Sequence, residues 1–416
     1  MFSHISDFVF RFSDLFEVCF LLFAFYLCLS APTATSTMAF NALDTIIDFL
    51  DPLNLSEISN DEGYHDTQLG HHINAFENSF PDIENADLII LGCNDARGEG
   101  ISKAPPIANA IRSEFYALYH WHKEITVADI GNIKTGASLQ DTYSALKAVC
   151  SELLRLNKRV CIIGGSHDIM LAQYQAYCEL NQVIEASCVD AFINLDNQSA
   201  WPAHKFLMQM FTGEPNFLKH YNHIGFQSYF VHPNMLETID KLHFDCYRVG
   251  KVKEMIEAME PVIRNANLFA FDICAIQNAH APANRHTPNG FNGEEACKLM
   301  QYAGMSRNTS TIGIYGYLPQ QDVHNLTARQ ISHMLWYLMD GMQRGKQEAD
   351  FKNTECYKEF HLTFADFETT FKQSKITGRW WMQLPDENYI ACSNEDYLLA
   401  RQNEIPERWL RAVERS

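Results

Sequence analysis

Val160-Cys161-Ile162-Ile163-Gly164-Gly165-Ser166-His167-Asp168 is the stretch that decides how this chain reads. Four apolar residues break at two glycines, and three polar residues precede a helix-like segment. Short apolar runs bounded by Gly and polar residues read as buried parallel strands. Such sheets present their functional groups at the carboxyl ends of the strands. Two further runs end on an acid in the same way. Ala191-Phe192-Ile193-Asn194-Leu195 precedes Asp196, and Asn267-Leu268-Phe269-Ala270-Phe271 precedes Asp272. One His and two Asp at three strand ends make a convergent candidate metal site.

The same alternation extends along the chain. Strands are expected at 87–92, 125–129, 224–227 and 311–315. Pro105-Pro106 opens one helix, because proline is tolerated where the first amides lack intrahelical partners. Ser138-Leu139-Gln140-Asp141 has the form of a capping box ahead of Tyr143, Leu146, Val149 and Leu153 at helical spacing. Further helices are expected from Glu294 to near Gly304 and over 327–341. Strand–helix alternation of this kind argues for an α/β fold around a parallel sheet.

A chain of 416 residues is long enough to bury a full core. Its net charge of −19 disfavours nucleic acid and anionic membrane surfaces as partners. The 12 cysteines show no CxxC pair and sit within apolar runs, which fits buried, reduced thiols and a cytoplasmic protein. Residues 1–37 read as an extension ahead of Met38. Their apolar stretch from Val18 to Ala31 is short for a membrane span, and Asp7, Asp14 and Glu17 oppose the positive charge a secretory signal needs. Export through a real signal is the alternative. Residues 38–350 read as the main domain. Residues 351–416 read as an aromatic-rich extension packed on it, with Trp380, Trp381 and Trp409 as anchors.

The Gly164-to-Asp168 motif resembles the first metal motif of the ureohydrolases (arginase, agmatinase, formimidoylglutamase), with formimidoylglutamase-like members nearest. Asp129-Ile130-Gly131-Asn132, Ala281-Pro282 and Asn289-Gly290-Phe291 also match that family in order and spacing. The resemblance implies a three-layer α/β/α arginase-like fold with a mainly parallel eight-stranded sheet. It also implies two divalent ions sharing a hydroxide that attacks a guanidinium or formimino carbon. Six side chains hold that pair in the family. Here His167, Asp196 and Asp272 match, whereas Gln198, Ala200 and Cys274 stand where the family has His, Asp and Asp. The metal ligands expected from the resemblance are therefore His167, Asp196, Asp272 and Cys274. Glu295 matches the substrate-orienting glutamate, although a first-turn helix acid has an equally simple role opposite the helix dipole.

Charge limits what this set can hold. Two carboxylates balance one divalent ion, and a second would bring unbalanced charge into a poorly solvated site. The expected cofactor is one divalent ion, manganese or zinc, or none. A thiolate at Cys274 would favour zinc. Two functions follow from the resemblance. One is a formimidoylglutamase-like hydrolase of C–N bonds in linear amidines, working with at most one ion. The other is a metal-depleted scaffold using the old pocket for a ligand or partner. A small molecule is the expected partner of the pocket, and a homo-oligomer is compatible with the chain.

Overall fold

In the computed structural model the described residues are 45–59, 63–103 and 105–415, so the 1–37 extension lies outside them. The central sheet is built from β1 (Leu50–Asp51), β2 (Asn74–Ala75), β3 (Leu88–Gly92), β4 (Val127–Ile133), β5 (Val160–Ile163), β6 (Ile184–Val189), β7 (Leu218–Phe226), β8 (Asp245–Arg248), β9 (Leu268–Asp272) and β10 (Thr311–Tyr315). Its order is β1-β4-β3-β5-β10-β9-β6-β7-β8, with β2 joining β4. β1 and β2 are two-residue additions to the β4 edge, β1 being antiparallel. The other eight strands are all parallel.

Every residue of β3, β4, β5, β9 and β10 is buried. That burial explains why they are largely apolar, since helices cover both faces, and the polar Asp129 and Asn132 of β4 are both bound by Arg112. The helices Leu139–Arg155 and Ile169–Glu179 pack together as one group. Ile107–Tyr116, Gly293–Met305 and Leu326–Lys346 form another. The capping box expected at Ser138 is formed with Asp141, and Asn292 makes a second one with Glu295.

The strand expected at 191–195 is not there. The strand in that part of the sheet is β6, which ends at Val189, and the apolar run follows it as a loop. β6 hides from a hydrophobicity reading because it carries Glu185 and Ser187. Glu185 reaches Lys219 at the sheet margin, and buried Ser187 accepts a bond from Asn222. The run 191–195 is apolar for a different reason: it underlies a cavity.

A four-stranded antiparallel sheet follows the main sheet in the chain: β11 (Tyr357–Phe364), β12 (Phe367–Ser374), β13 (Trp380–Gln383) and β14 (Tyr389–Cys392). Trp380 and Trp409 pack with Phe364, Phe371 and Met382 in a cluster of that segment's own. Contact with the main sheet's helices runs through charge. The Arg264 guanidinium lies 4.6 Å over the Trp381 ring, and Arg379 reaches Glu260 at 3.1 Å. Residues 49–416 form one compact unit. No helix among the described residues is long and apolar enough to cross a membrane.

Candidate functional site

Strand register sets the level of the site. Ile163 of β5 and Phe271 of β9 both lie opposite Ile314 of β10, and Val189 of β6 lies opposite Phe271. The residues that come next, Gly164, Asp272 and Asp190, therefore emerge at one height from neighbouring strands. Gly164 and Gly165 turn the chain there with φ of +88° and +83°, a region that strongly favours glycine. That turn delivers His167 over the ends of β9 and β6.

The structure brings His167, Asp272 and Cys274 together, and adds Asp190. His167 Nδ1 lies 2.8 Å from Asp190 Oδ2 and 3.4 Å from Asp272 Oδ2. Cys274 Sγ donates to Asp190 Oδ1 at 2.9 Å, while its backbone N–H donates to Asp272 Oδ1 at 2.8 Å. Asn194 Nδ2 donates to Asp190 Oδ2 at 2.7 Å. On the other side of the ring, Cys188 Sγ lies 3.4 Å from His167 Nε2. Two groups among the described residues place their donor atoms within 4.8 Å of one another. They are His167 with Cys188 and Asp190, and Asp190 with Asp272 and Cys274.

Asp196 is placed elsewhere. It is exposed at the rim of the cavity, where its carboxylate accepts the Gln198 backbone N–H at 3.0 Å as a turn cap. This corrects the register of the second motif. Asp190-Ala191-Phe192-Ile193-Asn194 is the segment that matches Asp-Ala-His-x-Asp, so Phe192 stands for the His and Asn194 for the last Asp. Gln198 and Ala200 are exposed loop residues. Glu295 is also apart from the cluster. It closes the capping box with Asn292, and its Oε2 pairs with Lys253 Nζ at 2.7 Å.

The cavity above the strand ends has a volume of about 590 Å³. His167, Asp190, Asp272 and Cys274 line its floor together with Glu99, a residue the sequence reading did not single out. Glu99 sits on the short 3-10 turn Arg97–Glu99 that follows β3. Arg97 pins this turn by binding Asp95 at 2.6 Å and the Ala137 carbonyl at 2.9 Å. The polar loop directly after an apolar strand was the available signal. Phe192 lines one wall, stacked on Phe230 at 4.5 Å and 18°, with His286 edge-on at 5.4 Å. Trp201 stands at the mouth, half exposed.

Burial and neighbouring charge set the protonation of the cluster. For His167, burial opposes the charged ring, but Cys188 and Asp190 outweigh it and hold its pKa well above the ordinary value. Burial pushes Asp190 up, yet the His167 charge and hydrogen bond bring its pKa below normal. Asp272 is raised by burial and then by the like charge of Asp190. Burial, with Asp190 and Asp272 beside it, keeps Cys274 a protonated thiol. Glu99 is pushed up to about 8, first by burial and then by Asp272 and Asp168. Burial and charge thus favour a His167–Asp190 ion pair and push Asp272, Cys274 and Glu99 towards their protonated forms.

A pair of manganese ions does not fit this donor set. Phe192 offers no donor at all, and Asn194 and Cys274 both donate hydrogen bonds to Asp190 instead of presenting carboxylates. The two carboxylates Asp190 and Asp272 balance one divalent ion, and no further carboxylate of the motif remains for a second. Two smaller donor groups could each hold an ion: His167 with Cys188 and Asp190, and Asp190 with Asp272 and Cys274.

Gly98 couples the Glu99 turn to this floor. A Cβ at that position would stand 1.7 Å from Asp168 Oδ1, a buried oxygen with no hydrogen-bond partner among the described residues. Asp168 is fully buried, and its other oxygen accepts from Tyr143. Gly98→Ala is therefore expected to overpack the site and destabilise the protein by about 1–3 kcal/mol. A thermal unfolding midpoint unchanged from the parent protein would show that the turn moves freely.

Comparisons with known proteins place this geometry. No curated protein sequence matches the chain. Among solved structures, formiminoglutamase from Trypanosoma cruzi with Mn2+ is similar at a TM-score of 0.58 and 15% identity, covering 70% of this chain and 99% of that one. Formimidoylglutamase from Bacillus subtilis gives 0.59 and 16%, covering 68% and 94%. A hypothetical agmatinase from Burkholderia thailandensis gives 0.53 and 16%, covering 66% and 95%. At such identities these likenesses speak for the fold. The family model for the arginase family matches residues 91–340, more than half of the sequence and all of the strand ends described above, and the chain belongs to the arginase family.

Proposed function

We propose that the chain is a single-ion hydrolase of a C–N bond in a linear amidine, of the formimidoylglutamase type. The observation that supports this reading is the convergence of His167, Asp190 and Asp272 on the floor of the cavity. A divalent ion bound there would supply a water of lowered pKa and a polarising charge. The chain's own residues would do the rest. Asp190 and Asp272 would hold the ion, Glu99 faces the amidine from the opposite turn, and the Phe192–Phe230 stack keeps water from the wall. The place of action is the cytoplasm, in keeping with the reduced cysteines.

A second reading, a ligand-binding protein without turnover, is favoured by how fully Asp190 is engaged. Its carboxylate is met by His167, Asn194, the Cys274 thiol and the Phe192 N–H. Incubation of the full chain, loaded with zinc or manganese, with N-formimidoylglutamate separates the two. The hydrolase reading expects release of glutamate that is lost in Asp190→Asn. A thermal stabilisation by the same compound with no glutamate released would replace hydrolysis by binding.

A further inference from the structure

We propose that the cavity above the strand ends prefers a linear amidine carried on an amino acid with an aromatic side chain, such as N-formimidoylphenylalanine, over one carried on glutamate. The inference rests on the reading above, that an amidine enters this cavity, and names the body to which the amidine is attached. It stands on the charge of the lining, on the wall and on the mouth.

The carboxylates of Glu99, Asp190, Asp196 and Asp272 all belong to the lining. Among the described residues of that lining, Arg285 is the only Lys or Arg, and its Nη2 donates to the Gln321 carbonyl at 3.1 Å. His167 is engaged by Asp190 at 2.8 Å. A glutamate body brings two carboxylates. Arg285 neutralises one of them, and the other is left among acids without a cation, which is costly once water is displaced. A body with a single carboxylate avoids that mismatch, while its amidinium still meets the acidic floor.

The wall sets the class of side chain. Phe192 and Phe230 stack at 4.5 Å and 18°, both line the cavity and neither is fully buried. His286 stands edge-on to Phe192 at 5.4 Å, and Met235 and Leu318 continue the apolar lining. Half-buried rings in a wall offer a third ring the offset or edge-on contact that aromatic groups favour. At the mouth, a Cβ on Gly100 would stand 2.6 Å from the Trp201 ring, so the indole rests on the turn that carries Glu99. Gly100 has φ +81° and leaves that space open. A cavity of about 590 Å³ has room for a ring beside the amidine.

Calorimetry on the full chain, with no ion added, compares N-formimidoyl-L-phenylalanine with N-formimidoyl-L-glutamate. The phenylalanine compound is expected to bind about tenfold more tightly, the worth of one good aromatic contact. Phe230→Ala should remove most of that preference while leaving the affinity for the glutamate compound nearly unchanged. If Phe230→Ala does not fold, Phe230→Leu serves, with a smaller loss in the same direction. Arg285→Gln should weaken both compounds alike, since each presents a carboxylate to it. Equal affinity, a preference for the glutamate compound, a loss in the Phe230 variant that is the same for both, or no binding of either would each overturn the proposal. Release of the free amino acid after loading with zinc or manganese is read separately. The expected preference without turnover removes the hydrolase reading and leaves this assignment. Turnover with no preference in binding removes this assignment and leaves the hydrolase.

Discussion

Phe192→His, Asn194→Asp and Cys274→Asp together are expected to raise bound manganese from at most one ion per chain to two. These are the three positions at which the corrected register departs from the six-ligand pattern. The triple change supplies one imidazole and two carboxylates, which suits a second divalent ion both in charge and in ligand type. Single changes should add little, because each leaves an incomplete shell and the sites are coupled through the ions. The backbone already holds all three positions beside Asp190 and Asp272, at the ends of β6 and β9. Replacing Phe192 also removes its stack on Phe230, so some stability is lost. Calorimetric titration with manganese reads the result. A folded triple variant that still binds no second ion would show that the register drawn through Asp190 is wrong. The parallel change at Gln198 and Ala200, both exposed, should have no effect on metal content.

Arg112→Met is expected to be the most damaging single change away from the cavity. Arg112 and Asp129 are both fully buried and form a two-pronged pair, Nε to Oδ2 at 2.7 Å and Nη2 to Oδ1 at 2.8 Å. Arg112 also binds the Gly131 carbonyl at 2.8 Å and Asn132 Oδ1 at 2.7 Å, and the Tyr116 hydroxyl donates to Asp129 at 2.8 Å. Methionine fills similar space but leaves the Asp129 carboxylate buried without its cation. Breaking one side of such a pair costs about 3–5 kcal/mol, whereas replacing both partners with apolar residues is often neutral. Urea unfolding should therefore show a large loss for Arg112→Met and a substantial recovery for Arg112→Met with Asp129→Leu. Equal stability of the parent and the single variant would mean that the pair contributes nothing to holding helix Ile107–Tyr116 on β4.

Several parts of this molecule were legible before any coordinates. β5 begins and ends where its apolar run does, because both faces of that strand are covered and every position selects for an apolar residue. The capping box at Ser138 was legible because it is a local exchange of hydrogen bonds between residues three apart. His167, Asp272 and Cys274 were found because each follows such a strand or turn directly. Asp190 was missed because β6 mixes Glu185 and Ser187 into its run. Each has a partner that sequence does not show, Lys219 for one and Asn222 for the other. The apolar loop after it then took the place of the strand. Glu295 matched in position, yet its carboxylate is taken up by Asn292 and Lys253.

By itself the sequence determined the α/β class, the parallel sheet and the family pattern, since these rest on local periodicity and on residues adjacent in the chain. Only the tertiary structure decided which aspartate stands beside His167, that Phe192 lines the wall of the same cavity, and that Glu99 faces the same floor. Those are questions of register between strands far apart in the chain. One strand's shift moves every residue at its end, and nothing local in the sequence records it.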